Sequence, residues 1–222
     1  MQKALTLFDT TIGKKAVMAV TGLVLFGFLI GHMLGNLQIY LGPDALNGYA
    51  EKLQSLTPLL WGTRVVIATS IVLHTWMVID LYARSLAARP VGYRVTRSVA
   101  TNYAAKAMWL SGIVILLFVL YHIAHFTFPG ISMGNYEHDT HGQVYLNVVN
   151  GFSVPWVSGI YIAAQLALWA HLFHGSWSLL QTLGLNHPRY NDPSRGIAKL
   201  VATVIVLGNI SIPVAVLAGI VK

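Results

Sequence analysis

The stretch Ala16–Leu41, AVMAVTGLVLFGFLIGHMLGNLQIYL, decides the fold. It holds no Asp, Glu, Lys or Arg, and it exceeds the roughly 20 apolar residues that a helix needs to cross a bilayer. It follows Lys14 and Lys15 as the apolar core of a signal peptide would. It continues past Gly31 without a small-residue cleavage site, however, and contains His32, Asn36 and Gln38, so it reads as a retained helix. Four more apolar stretches follow, at Leu59–Ala83, Ala107–Phe128, Trp156–Leu183 and Ile197–Val221. Together they predict an all-α integral membrane protein with five transmembrane helices, a single domain over residues 1–222.

Composition points the same way. Of the 222 residues, 55% are hydrophobic and only 9% charged, against roughly 25% charged in a soluble domain. With a mean hydropathy of +0.64, a soluble enzyme is excluded. The chain has no cysteine, which removes disulfides, thiolate metal sites, iron–sulfur ligation and thiol catalysis from this subunit. A net charge of +7 would suit nucleic acid only if the basic residues shared one water-facing surface. Topology accounts for them better, and no nucleic-acid partner is expected. Lys3, Lys14, Lys15, Arg84, Arg89, Arg94, Arg97, Lys106, Arg189, Arg195 and Lys199 fall on one side of the spans, and only Lys52, Arg64 and Lys222 on the other. Basic loops stay inside, so this places the N-terminus in the cytoplasm and the C-terminus outside.

The connections differ in character. Residues 42–58 carry Leu46, Tyr49, Ala50, Leu53 and Leu56 at helical spacing behind Gly42-Pro43-Asp44, which predicts a short amphipathic helix on the outer surface with Asp44 as N-cap. Residues 129–155 form the longest outer loop. The segments 85–101 and 185–196 are short and basic, with no room for a soluble catalytic domain. No internal repeat or low-complexity stretch stands out.

Ionisable side chains inside a membrane are costly and mark function by default. Six of the nine histidines fall within the spans: His32, His74, His122, His125, His171 and His174. A lone histidine is readily explained by a hydrogen bond to a neighbouring helix; six on four helices are not. His32 lies 17 residues after Lys15 and His122 lies 16 after Lys106, so both sit roughly 25 Å from the cytoplasmic helix ends, level with each other in the outer half. His74 lies ten residues before Arg84, and His171 or His174 lies 13 or ten before Gly184, roughly 15–20 Å from those ends and level in the inner half. Two histidines on facing helices at one depth can hold an iron from both sides, with a macrocycle filling the bundle between them. The depths give two such sites, one above the other. Iron held by two histidines has no open position, so the chemistry is electron transfer and not oxygen activation. Gly27, Gly31 and Gly35 recur beside His32, where they would admit either a flat porphyrin or a neighbouring backbone.

Four stretches carry a family resemblance: HMLGNLQIYLGPDALNGYAEKLQSL (His32–Leu56), YHIAHFTF (Tyr121–Phe128), DTHGQVYLNVVNGF (Asp139–Phe152) and HLFHGSWSLLQTLGLNHPRY (His171–Tyr190). Over nearly its whole length the chain resembles the five-helix, di-haem cytochrome b membrane subunit of bacterial succinate dehydrogenases, the cytochrome b558 type, related to fumarate reductase anchors. The resemblance implies a haem-binding four-helix bundle holding two b haems. His32 and His122 would be axial ligands of the outer haem, and His74 and His171 of the inner one. The pattern H-x-x-x-G-x-W selects His171, with Gly175 and Trp177, over His174, and the pair Tyr121-His122 selects His122 over His125. His125 and His174 are then donors behind the ligands, or packing residues.

The resemblance further implies two partner subunits on the cytoplasmic face of the bacterial inner membrane, a flavoprotein carrying FAD and an iron–sulfur protein. This chain would pass their electrons to a quinone, menaquinone in preference to ubiquinone, as part of respiratory complex II. Reduction of a quinone consumes protons, and Glu51 on the surface helix is the leading candidate to deliver them, ahead of Asn36, Gln38 and Arg64. Some fumarate reductases of the wider group carry a glutamate two positions before the fourth-helix ligand; here that position is Trp169, which speaks against a glutamate proton path.

The remaining polar residues have plainer roles. Asp80 is placed to pair with Arg84 at i,i+4. His138 and His141 fall in a solvated loop with Glu137 and Asp139, and His187 in a loop near the partner interface. The basic face suits anionic lipid headgroups and the docking subunits. Two other readings compete: a transporter or proton channel whose histidines relay protons or bind a transition metal, and a di-haem cytochrome b of another respiratory dehydrogenase.

Overall fold

The structure is a computed structural model and describes residues 7–89, 91–92, 103–128 and 143–222. Every regular element among these residues is helical: α1 (Thr11–Asn36), α2 (Pro43–Ser55), α3 (Thr57–Ala87), α4 (Tyr103–Phe126), α5 (Val144–Phe152), α6 (Pro155–Thr182) and α7 (Asn191–Leu217), with short 3-10 turns at Leu37–Leu41 and Pro188–Tyr190. Five stretches are long and apolar enough to cross a membrane: Thr11–Leu41, Thr57–Ala87, Tyr103–Phe126, Pro155–Thr182 and Pro188–Leu217. The chain is a multi-pass, all-α membrane protein.

Local chemistry sets the helix ends. The Thr10 side chain accepts from the Gly13 amide at 3.0 Å and caps α1. Gly42, at φ 97°, turns the chain out of the 3-10 extension of α1, and Pro43 opens α2. The predicted surface helix is therefore present, but Asp44 lies within its first turn and Gly42 takes the cap position, because Pro43 already supplies helical φ one residue earlier. Leu46 and Tyr49 of the predicted apolar face point inward, whereas Leu53 and Leu56 are exposed. Gly184, at φ 73°, closes α6 with Leu185 N–H donating to Leu180 C=O at 2.9 Å.

The loop expected over 129–155 contains α5, and the loop expected over 185–196 is shorter than its sequence suggests, since α7 begins at Asn191. His138, His141, Glu137 and Asp139 lie outside the described residues, as do Lys3, Arg94 and Arg97.

Within lipid, apolar surface gains nothing by facing protein instead of acyl chains, so helices there are held by close packing and polar contacts. The α6–α7 interface is built this way, with Leu168 and Leu172 of α6 clustered on Ala202 and Ile205 of α7 and Asn209 donating to Gln165 at 3.2 Å. At one end of the bundle α2 and α5 lie across the helices and pack on each other. Leu46, Tyr145, Val149 and Phe152 form a cluster with Ile39, Val157 and Val216, and Asn47 Oδ1 accepts from the Tyr145 amide at 2.9 Å. At the other end α1 and α3 are joined by Lys14, which pairs with Asp80 while Arg84 binds the same carboxylate oxygen at 2.8 Å. The Asp80–Arg84 pair was legible in the spacing; buried Lys14, on another helix, was not.

The sequence also contains a repeat that its helices make visible. The order long helix, short capping helix, long helix occurs twice, as α1–α2–α3 and α4–α5–α6. Thr21-Gly22 stand eleven and ten residues before His32, and Ser111-Gly112 stand eleven and ten before His122. Leu46-Asn47-Gly48-Tyr49 on α2 corresponds to Val149-Asn150-Gly151-Phe152 on α5. Pro58, Gly62 and His74 on α3 match Pro155, Gly159 and His171 on α6 at identical spacing. Within each unit the long helices pack tightly, α1 on α3 and α4 on α6, and α7 adds to the α6 and α1 side. No repeat stands out in the sequence alone because only a few positions survive in a background of interchangeable apolar residues, too sparse to register without the helix frame.

Candidate functional site: two facing histidine pairs

α1 and α4 are not packed on each other, and neither are α3 and α6. What meets across these two diagonals of the bundle is histidine. The ring centres of His32 and His122 are 5.7 Å apart with planes at 84°, and those of His74 and His171 are 6.4 Å apart at 59°. In each pair a residue meets its own counterpart in the other unit, the signature of an approximate two-fold axis running between the units. Eleven residues separate the two levels on α1 and on α4, roughly 16 Å along the helix.

The other ring nitrogen of three of these histidines is held. His74 Nδ1 lies 3.0 Å from the Met18 carbonyl, with Thr21 Oγ1 at 3.3 Å. A carbonyl only accepts, so Nδ1 carries the proton and Nε2 is left with its lone pair. His171 Nδ1 lies 3.4 Å from Ser111 Oγ, whose own proton goes to the Met108 carbonyl at 3.1 Å, so the same tautomer follows. His122 Nδ1 lies 3.2 Å from the Tyr161 hydroxyl. His32 stacks on Phe28, ring centres 5.3 Å apart. Nδ1–H given to a carbonyl or hydroxyl is the usual support of a metal-bound imidazole.

The repeat explains how these contacts arise. Thr21-Gly22 on α1 and Ser111-Gly112 on α4 each face the histidine of the partner helix. The hydroxyl reaches Nδ1, and the glycine leaves room for Cε1, which would lie 3.3 Å from a Cβ on Gly22 and 3.7 Å from one on Gly112. Sequence reasoning missed all four residues. The signal was a hydroxyl-glycine pair three turns before a histidine, present twice.

A metal–imidazole bond is about 2 Å, which puts facing nitrogens about 4 Å apart and ring centres about 6 Å apart around one metal ion. Both pairs have this separation. A flat macrocycle also needs helices that are not packed on the diagonal it spans, and both diagonals meet that condition. Among the described residues no three His, Asp or Glu side chains converge as a metal cage. The donor sets are pairs.

The structure distinguishes the histidines that depth alone left paired as alternatives. His171, not His174, faces His74. His122, not His125, faces His32; His125 is fully buried, with Nδ1 2.9 Å from the Tyr161 hydroxyl. His187 is exposed and caps the turn at Pro188–Tyr190, accepting from the Arg189 amide at 3.2 Å.

Among the described residues nothing beyond the local helix backbone lies within 4 Å of a Cβ built on Gly27 or Gly31, whereas Gly35 is pressed by the Tyr49 ring, 2.8 Å from such a Cβ. Trp169 donates to Thr203 at 2.9 Å and so points to α7. Glu51 is exposed on α2 and makes no ion pair among the described residues. Asn36 ends α1, Gln38 lies in the following turn, and Arg64 is exposed over the Trp61 ring at 5.0 Å. No family model, curated protein or solved structure matches the chain.

Proposed function

We propose that the chain is the di-haem cytochrome b membrane anchor of a succinate:quinone oxidoreductase in a bacterial cytoplasmic membrane, N-terminus inside. The observation that carries this reading is the two facing histidine pairs, stacked at two depths on the open diagonals of a four-helix bundle. His32 and His122 would hold the outer haem, His74 and His171 the inner one. Two b haems there would supply one-electron transfer between a partner's iron–sulfur clusters and a quinone, menaquinone in preference to ubiquinone, with no open coordination position.

The chain's own residues do the positioning. Met18, Thr21, Ser111 and Tyr161 keep the proton on Nδ1 and leave Nε2 free to bind metal. The α2–α5 cap keeps water from the apolar cluster beneath it. Glu51, exposed on α2, would exchange protons between water and a quinone being reduced. Of the described basic residues, Lys14, Lys15, Arg84, Arg89, Lys106, Arg189, Arg195 and Lys199 stand in or next to the helix turns opposite the cap. That face would receive the iron–sulfur protein and, through it, the flavoprotein with its FAD.

The test is a reduced-minus-oxidised absorption spectrum of the purified complex, with haem counted per chain. Two b haems reducible by succinate are expected, and one should be lost in His32→Ala or His122→Ala. A complex without haem would sink the proposal and leave the histidines to a proton or metal pathway. Glu51→Gln should slow quinone reduction at normal haem content; unchanged turnover would remove Glu51 from the mechanism.

A further inference from the structure

We infer that Tyr161 is the positioning residue of the His32–His122 pair, its hydroxyl accepting the Nδ1 proton of His122 and donating its own to Nδ1 of His125. This rests on the reading of that pair as haem ligands. Tyr161 is buried, 6% exposed, with its hydroxyl 3.2 Å from His122 Nδ1 and 2.9 Å from His125 Nδ1. A hydroxyl has one proton and two lone pairs, so it can accept from one Nδ1 and still donate its own proton to another. A His122 that binds metal through Nε2 carries its proton on Nδ1 and must be the donor. The Tyr161 proton then goes to His125, along the shorter of the two bonds. His125 acts through Tyr161 and not on the metal, which gives this buried histidine a reason to stand one turn beyond His122.

The phenol cannot swing away. Phe118 and Phe152 meet its ring edge-on, at 4.9 and 4.8 Å between centres. The feature is also absent from the repeat. Tyr161 stands ten residues before His171, and the residue ten before His74 is Arg64, exposed over Trp61. The His74–His171 pair draws its Nδ1 partners from the repeated hydroxyls Thr21 and Ser111 and from the Met18 carbonyl instead. Tyr161 therefore makes the two histidines of the outer pair inequivalent, with His122 held in plane by a bond that the symmetry of the bundle does not duplicate.

The test is Tyr161→Phe in the assembled complex, read by redox titration and by electron paramagnetic resonance, whose anisotropy reports the angle between the two ligand planes. Losing the acceptor makes His122 a weaker electron donor. The outer haem should titrate at a higher potential, change its anisotropy, and be held roughly 10–100-fold less tightly, while the inner haem stays as it was. His125→Phe leaves the acceptor for His122 in place and removes the one for Tyr161, so it should move the outer signal the same way by less. It also carries the test if Tyr161→Phe does not assemble. A wild-type complex lacking two haems overturns the haem reading and this inference with it. Two haems in the wild type, with the outer signal unmoved in either variant or the inner one moved equally, overturn this inference alone.

Discussion

Replacing Gly22 and Gly112 by alanine, one at a time, separates the two histidine contacts that the repeat makes look alike. Both glycines are inside long helices, where alanine is favoured by about 1 kcal/mol, so propensity predicts the same small gain for each. The difference lies in what the new methyl meets. At Gly112 it would stand 3.7 Å from His171 Cε1, an ordinary contact. At Gly22 it would stand 3.3 Å from His74 Cε1, whereas carbon atoms prefer about 3.5–4.0 Å, so the His74 ring must retreat by a few tenths of an ångström. Its Nδ1 is 3.0 Å from the Met18 carbonyl and 3.3 Å from Thr21. A retreat of that size carries both bonds toward the long end of the hydrogen-bond range. Losing one net hydrogen bond costs about 1 kcal/mol, roughly fivefold in an equilibrium constant. If the pairs hold haem as proposed, Gly22→Ala should therefore shift the inner-haem potential and loosen that haem about fivefold, and Gly112→Ala should leave both haems as in the wild type with equal or higher thermal stability. Redox titration and haem content after purification measure both. Equal effects of the two substitutions would refute the reasoning, because it rests wholly on the difference between 3.3 and 3.7 Å.

On the same di-haem proposal, Ser111→Ala should disturb the inner haem more than Thr21→Val, by about 1 kcal/mol, since His74 keeps the Met18 carbonyl while His171 loses Ser111; redox titration of the two variants orders them. Gly35→Ala puts a methyl 2.8 Å from the Tyr49 ring, an overpacking cost of about 1–3 kcal/mol against a helix gain of about 1 kcal/mol. In a Tyr49→Ala background only the gain should remain, which thermal unfolding of the double-mutant cycle reads directly. Asp80→Asn leaves buried Lys14 without its counter-charge and should lower the unfolding temperature more than Arg84→Gln, whose side chain is half exposed; the reverse order would mean that Lys14 does not depend on Asp80.

The spans were legible because crossing a bilayer demands length and apolarity, and both are written in composition. Their ends were less so. Ala107–Phe128 is found as Tyr103–Phe126 and Ile197–Val221 as Asn191–Leu217: each helix starts before its apolar stretch, in polar sequence that hydropathy does not count, and stops short of its end, because apolar residues continue past the last helical turn. α5 was missed for a related reason: nine residues are too few for a periodic pattern to stand out, and Val144–Phe152 is held by α2 and by its contacts with α6 and α7 rather than by its own propensity.

Depth along a helix is a one-dimensional quantity and could be counted, which is why residue spacing alone matches His32 with His122, and His74 with His171 or His174. Which of two histidines three residues apart faces inward is a matter of rotation and of the partner helix, and counting does not supply it. The hydroxyls that hold Nδ1 lay further out of reach, because each sits on a different helix from the ring it serves. The repeat closes that gap. In each unit the helix that offers one histidine to its own level offers, eleven residues earlier, the hydroxyl that holds the histidine of the other level. A rotation of α1 that served His32 alone would take Thr21 away from His74, and the same holds for α4 with His122 and Ser111. The two levels are therefore not independent sites threaded on one bundle. Each long helix satisfies both at once, and a substitution that turns α1 or α4 should disturb the two pairs together.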